Sequence, residues 1–251
     1  MAEIRALLAR GGAGDISRDV ALKQVETLGG AGAQLIPRAF SDWIVEMCND
    51  IPATGFPSAG IEEVANAAIT RFSLNPSDIP SRRWEQFVMY CAGRDLDEGR
   101  VPDRVKVQGN LPFLLESGER IVWVFQPAQY LEDRVVRSSS RGYAGLSVRV
   151  APGVYLHGGE SDRPEASAGF VSVDNGMLAA SDRAILFKGN HEALRLRYKD
   201  LIAIERFDYG LSVCKGTASA RNQGFEVPSA ALPGFPFMLV QGLAKIYMNR
   251  H

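Results

Sequence analysis

The chain has little cysteine, little histidine and almost no net charge. Its 251 residues include three cysteines, Cys48, Cys91 and Cys214, and three histidines, His157, His191 and His251. An odd number of widely spaced cysteines without a CxxC argues against a disulfide framework or a zinc knuckle and points to reduced thiols in a cytosol. No HxxH, HExxH or Cys/His cluster is present, so no metal site is expected. Lys+Arg is 28 and Asp+Glu is 29, a net charge of -1. Such a chain has no global pull toward nucleic acid or an anionic membrane, and no nucleic-acid partner is expected. No run of about 20 apolar residues exists to span a bilayer. The start, Met1-Ala2-Glu3-Ile4-Arg5, lacks the charged-then-apolar pattern of a secretory leader, and the expected location is the cytoplasm. Catalytic signatures are also missing. There is no GxSxG, and Gly29-Gly30-Ala31-Gly32 fits neither a phosphate loop nor GxGxxG. Cys91 and Cys214 lie on apolar stripes and read as core residues. The expectation is therefore a non-enzyme without a cofactor. A catalytic site would need scattered carboxylates such as Asp174, Asp182 and Glu205 to converge.

What is present is an ordinary globular composition, 46% hydrophobic and 23% charged, with a length that suits one or two domains. Arginine outnumbers lysine 22 to 6. Arginine favours planar, bidentate contact with carboxylate or phosphate; a GC-rich genome gives the same bias. The charge is uneven: residues 1–108 carry 12 basic and 15 acidic side chains, and residues 109–251 carry 16 and 14. The apolar pattern changes at the same place, from helical spacing to short alternating runs.

In the first half, Ile61, Val64, Ala65, Ala68, Ile69 and Phe72 form one helical face, with Ser58 as a cap and Glu62 and Glu63 in the first turn. Trp84, Phe87, Val88 and Cys91 make a second stripe, with Ser81 and Glu85 near a capping arrangement. Val20 to Leu28 and Leu35 to Met47 read as two more helices. Gly11-Gly12-Ala13-Gly14 suggests that the first 14 residues are a loose arm. Asp95-Leu96-Asp97-Glu98-Gly99 resembles a calcium loop faintly, but its glycine falls one place early and no Glu closes it, so it reads as a solvated turn. The expectation is a helical domain over residues 1–107.

In the second half, residues 121–125, 133–137, 146–150, 153–157, 170–173, 177–180, 184–187, 194–198, 201–207, 211–214 and 225–227 read as strands. Reversals are expected at Asn175-Gly176, at Ser181-Asp182-Arg183 and at Tyr209-Gly210. Pro233 to Tyr247 reads as a terminal helix with Phe237, Leu239, Val240, Leu243 and Ile246 on its apolar face.

Four motifs occur in order along these strands. Leu114-Leu115-Glu116-Ser117-Gly118-Glu119-Arg120-Ile121 resembles an L-x-x-G-E-x-V opening. Asp174 to Gly189 resembles a G-x-L-x-L-T-x-x-R-x-x-F-x-G hairpin, with Ala180-Ser181 where Leu-Thr is usual. Tyr198-Lys199-Asp200-Leu201-Ile202-Ala203-Ile204 matches Y-x-x-I-x-x-I. Phe207 to Val213 matches Y-x-D-G-I-x-I. Residues 141–150, followed by Gly153-Val154-Tyr155, are similar to an insertion in uncharacterised bacterial members. Over residues 111–247 the chain thus resembles the bacterial pleckstrin-homology (PH)-like and GRAM-like domains. That resemblance implies, over residues 108–251, a PH/GRAM-like β-barrel capped by a C-terminal helix; with the helical first half, which resembles no family, the expected fold is α+β, an all-α N-terminal domain followed by that barrel. The resemblance implies a binding module, since these folds host binding more often than catalysis.

Two candidate sites follow. Arg134, Arg137, Arg141 and Arg149 are the only charged residues between Asp133 and Glu160. With Ser139 they make a candidate anion or lipid-headgroup site, on the outer face of a hairpin that is otherwise ordinary solvated surface. Trp123 and Phe125 alternate with Val122 and Val124 in the first strand, so both faces are apolar. They are candidates for a protein interface, or for plain burial at a domain contact. The leading expectation is a cytoplasmic adaptor with a protein partner. The alternative is a peripheral module on the inner membrane face that binds anionic lipid. The sequence leaves the oligomeric state open.

Overall fold

The computed structural model describes residues 1–30, 34–106, 111–137, 166–207, 209–216, 222–228 and 230–250. The chain divides into two compact units, Met1–Arg104 and Val105–His251.

Helical spacing sets the first unit. Five helices, α1 (Ala2–Ala13), α2 (Arg18–Gly29), α3 (Leu35–Thr54), α4 (Ala59–Phe72) and α5 (Arg83–Asp97), pack around one apolar core. Ile4, Leu8, Val25, Phe40, Ile44, Val64 and Phe87 lie at its centre. Ser17 and Ser58 cap α2 and α4, accepting from the amides of Val20 and Ile61, which satisfies helix-end donors that would otherwise lack partners. Helix α5 starts differently from the expected cap: the residue before it is Arg82, which offers no side-chain cap and pairs with Glu85.

The first residues are not a loose arm. They form α1, with Ile4, Leu7, Leu8, Gly11 and Gly12 buried. The glycines allow close helix approach. A Cβ on Gly11 would stand 2.8 Å from the Cβ of Ala21, and one on Gly12 would stand 2.9 Å from Cγ1 of Ile61. The missing side chains are the packing surface.

Among the described residues the second unit is a seven-stranded antiparallel sheet followed by a helix. The strands are β1 (Ile121–Arg137), β2 (Ala166–Ser181), β3 (Ala184–Gly189), β4 (Ala193–Arg197), β5 (Leu201–Phe207), β6 (Gly210–Lys215) and β7 (Gln223–Glu226). Their order is β4-β3-β2-β1-β7-β6-β5. The terminal helix α6 spans Phe235–Arg250 and packs against β5, β6 and the one-turn helix Tyr198–Asp200. The expected reversals after Ser181 and around Tyr209 are present. At Asn175-Gly176 the chain runs straight on through β2, where Gly176 pairs with Ala128 on one side and Gly189 on the other. A Cβ there would meet the Lys188 carbonyl oxygen at 2.1 Å, so this glycine serves strand packing rather than a turn. The strands expected at 146–150 and 153–157 lie outside the described residues.

The expected barrel does not close. Among the described residues β4 and β5 are the two edges of one open sheet. The chain crosses from β4 to β5 through the one-turn helix, whose buried Tyr198 donates its hydroxyl to the Ser181 carbonyl at 2.9 Å, and α6 packs at that corner. The inner core joins Trp123, Phe125, Tyr130, Phe187 and Phe225 to Phe235, Leu239 and Leu243 of α6. On the other face Ala179, Ala184 and Leu186 are covered by Phe113, Ile121 and Val124.

Candidate functional site

The polar groups of the sheet unit mostly close on themselves. Glu119 follows Gly118, whose φ is +73°, and turns its carboxylate inward. It accepts from the Ser181 hydroxyl at 2.5 Å and from the Glu116 amide at 2.7 Å, and it pairs with Arg195. Burial pushes this carboxyl up, but the hydrogen bonds from Ser181, Arg195 and Glu116 together hold it below its ordinary value. Ser181 in turn accepts from the amides of Arg183 and Ala184. The first sequence motif is therefore a staple that fixes the β2–β3 turn.

Asp174 does the same for the β3–β4 turn. Its carboxylate accepts from the amides of Asn175, Asn190, His191 and Glu192 at 2.8, 3.2, 2.8 and 2.8 Å. These bonds, led by those from Glu192 and His191, hold it down to about 2. Asp182 accepts from the Arg120 amide at the far end of β2. Asp174, Asp182 and Glu205 serve separate turns and strands and do not form one carboxylate cluster. In the helical unit, burial pushes the Cys48 thiol up to about 11 and the Cys91 thiol up to about 12, which leaves both poor nucleophiles.

The two edge strands differ. At β4, Arg195 donates to the Leu114 carbonyl at 3.0 Å and Arg197 to Glu116 at 2.7 Å. The segment before β1 is thereby tied alongside that edge, which is one way a protein blunts an open strand. At β5 no residue is buried. The register with β6 skips between Leu201 and Ala203, which leaves Ile202 as an extra, bulged residue that is 70% exposed. From Ala203 to Phe207 the pairing is regular, against Cys214 to Gly210. Ile204 and Arg206 sit opposite the buried Val213 and Leu211, on the core face. Arg206 lies over Gly234, where a Cβ would come within 2.8 Å of its guanidinium. On the other face Glu205 accepts from the Ser212 hydroxyl at 3.4 Å, and Phe207 meets Phe170 edge-on at 5.1 Å. Tyr209, exposed, stands at the turn. The result is a regular stretch of strand that ends a sheet, with charged and apolar groups beside it.

Trp123 and Phe125 are not an exposed face. They are 6% and 4% exposed and pack on Phe235 of α6, with ring centroids 4.7 and 6.1 Å apart. Both are core residues, because the bulge in β1 and the helix behind it turn that face inward. Of the arginine site, Arg134 and Arg137 lie on β1 in register with Gly169 and Ala166. Ser139, Arg141 and Arg149 lie outside the described residues. Sequence reasoning found β5 as a strand and missed it as an edge. The signal was there: Ile202-Ala203-Ile204 breaks strict alternation, and the adjacent pair Glu205-Arg206 does not suit a strand covered on both faces.

No known protein family matches the chain, and no curated protein sequence matches it. Among solved structures the chain is similar to the "Vps36 N-terminal PH domain", at 11% identity and a TM-score of 0.32, over 55% of this chain and 85% of that one.

Proposed function

We propose that the chain is a non-catalytic cytoplasmic binding module that takes a protein partner along the open edge of β5. The observation that carries this reading is the contrast between the two edges. Among the described residues β4 is tied to the segment before β1, whereas no strand pairs with the outer edge of β5 over Ala203–Phe207, and Ile202 stands exposed beside it. An extended segment added to such an edge gains main-chain hydrogen bonds, and the flanking side chains select it. The bulge at Ile202 limits the usable register to the residues that follow it. The finer family reading, a bacterial PH-like or GRAM-like domain acting as an adaptor, rests on the four sequence motifs and on seven strands preceding one helix.

The test compares capture of protein from cell extract by the full chain and by Ile202→Asp, beside co-sedimentation with anionic and neutral vesicles, at low and physiological salt. Ile202 is exposed, so the variant is expected to keep its fold. Capture that persists with salt and is lost in the variant is the expected result. Binding to anionic vesicles only, lost with salt, would instead favour the headgroup reading of the arginine segment.

A further inference from the structure

Helix α5 ends at Asp97 and the chain reverses at Gly99, whose φ is +74°. The amides of Glu98, Gly99 and Arg100 donate to the carbonyls of Arg94, Leu96 and Asp95 at 3.0, 3.0 and 2.7 Å, which closes the helix end. The reversal brings the following arginines onto carboxylates of two helices. Arg104 donates through Nε to Oδ2 of Asp95 at 2.7 Å, its Nη2 stands 2.5 Å from the same oxygen, and its Nη1 pairs with Glu62 of α4. Arg100 donates to Oδ1 of Asp95 at 3.0 Å and pairs with Glu98. Arg94 completes the set, 2.5 Å from Glu62 and donating to the Pro57 carbonyl at 2.8 Å.

The side chains of Asp95 and Arg104 are only 10% and 14% exposed. The expected solvated turn is thus a network of three guanidiniums and three carboxylates, with Glu62, Arg94, Asp95 and Arg104 largely buried and Glu98 and Arg100 at its solvent side. From Arg100 to Lys106 only Pro102 is buried. Burial raises the Asp95 carboxyl even with Arg94 and Arg100 beside it, and lowers the Arg104 guanidinium. Desolvation thus works against the charged form at both groups, and it offsets part of what the ion pairs contribute to holding residues 98–106 closed. The helical core, by contrast, is apolar.

We propose that residues 98–106 are a strap that opens as a unit, withdrawing Arg104 from Glu62 and Asp95 while α1 to α5 stay folded. Opening frees residues 99–104, a stretch of up to about 20 Å if fully extended. Local opening of this sort draws on segments with few buried apolar contacts.

Hydrogen exchange on the full chain, resolved by peptide, tests the strap in the native protein, in Arg104→Gln and in Arg104→Lys. In the native protein, amides of residues 99–106 are expected to exchange well before those of α3, α4 and α5, and Arg104→Gln is expected to make them exchange about tenfold faster while keeping that order. Arg104→Lys keeps the charge without the two-pronged donor and is expected between the two. Unchanged exchange over residues 99–106 in Arg104→Gln would overturn the proposal. So would exchange of residues 99–106 in step with α4 and α5 in the native protein, because the network would then open only with the helical core.

Discussion

Asp174 shows how much one carboxylate can organise. Four amides converge on it, and together they define the turn between β3 and β4. Its folded value of about 2 lies below the ordinary 3.8. A depressed carboxyl stabilises the fold above its unfolded value, and that contribution disappears as pH falls through the folded one. Asp174→Asn is therefore expected to lower the urea midpoint of the sheet unit at neutral pH, and the gap to the native protein is expected to shrink between about 4 and 2. A gap that stays constant over that range would show that the charge is not the source. Gly189, packed against this carboxylate, tolerates no side chain: a Cβ would stand 2.2 Å from Asp174 Oδ2.

At the scale of elements, the sequence was most legible where one rule acted alone. Ser58 capping α4, the stripe from Ile61 to Phe72 and the reversal after Ser181 each follow from local chemistry, and each is present. It was least legible where glycine had two meanings. Gly11 and Gly12 read as flexibility and are helix contact; Gly176 reads as a turn and is a close approach between strands. Local propensity cannot distinguish these, because the deciding neighbour, Ala21, Ile61 or Lys188, comes from another element. Likewise Trp123 and Phe125 show an apolar face, but only Phe235, more than a hundred residues later, determines that the face is covered. Gly176→Ala is expected to destabilise the sheet unit by more than about 2 kcal/mol, since the clash is with backbone that pairs on both sides. Chemical denaturation followed by hydrogen exchange in peptides from β1 to β3 reads this, and a change within about 0.5 kcal/mol would contradict the packing role.

At the scale of the whole molecule, the chain has two units with separate cores, and among the described residues the sheet of the second is open. Openness was not legible beforehand. Periodicity places most strand segments but splits the long strands, reading 121–125 and 133–137 for β1 and 170–173 and 177–180 for β2, and it carries no information on strand order or closure. That openness turns β5 from an internal strand into an edge and moves the candidate site away from the aromatic strand β1. The most direct measurement is site-specific photo-crosslinking in living cells, with the reactive side chain at position 202, and at the exposed position 248 on α6 as a control. A discrete protein adduct at 202, absent at 248 and unchanged when salt is raised after lysis, is the expected result. No protein adduct at 202, or the same adducts at both positions, would contradict the assignment of β5 as the binding edge.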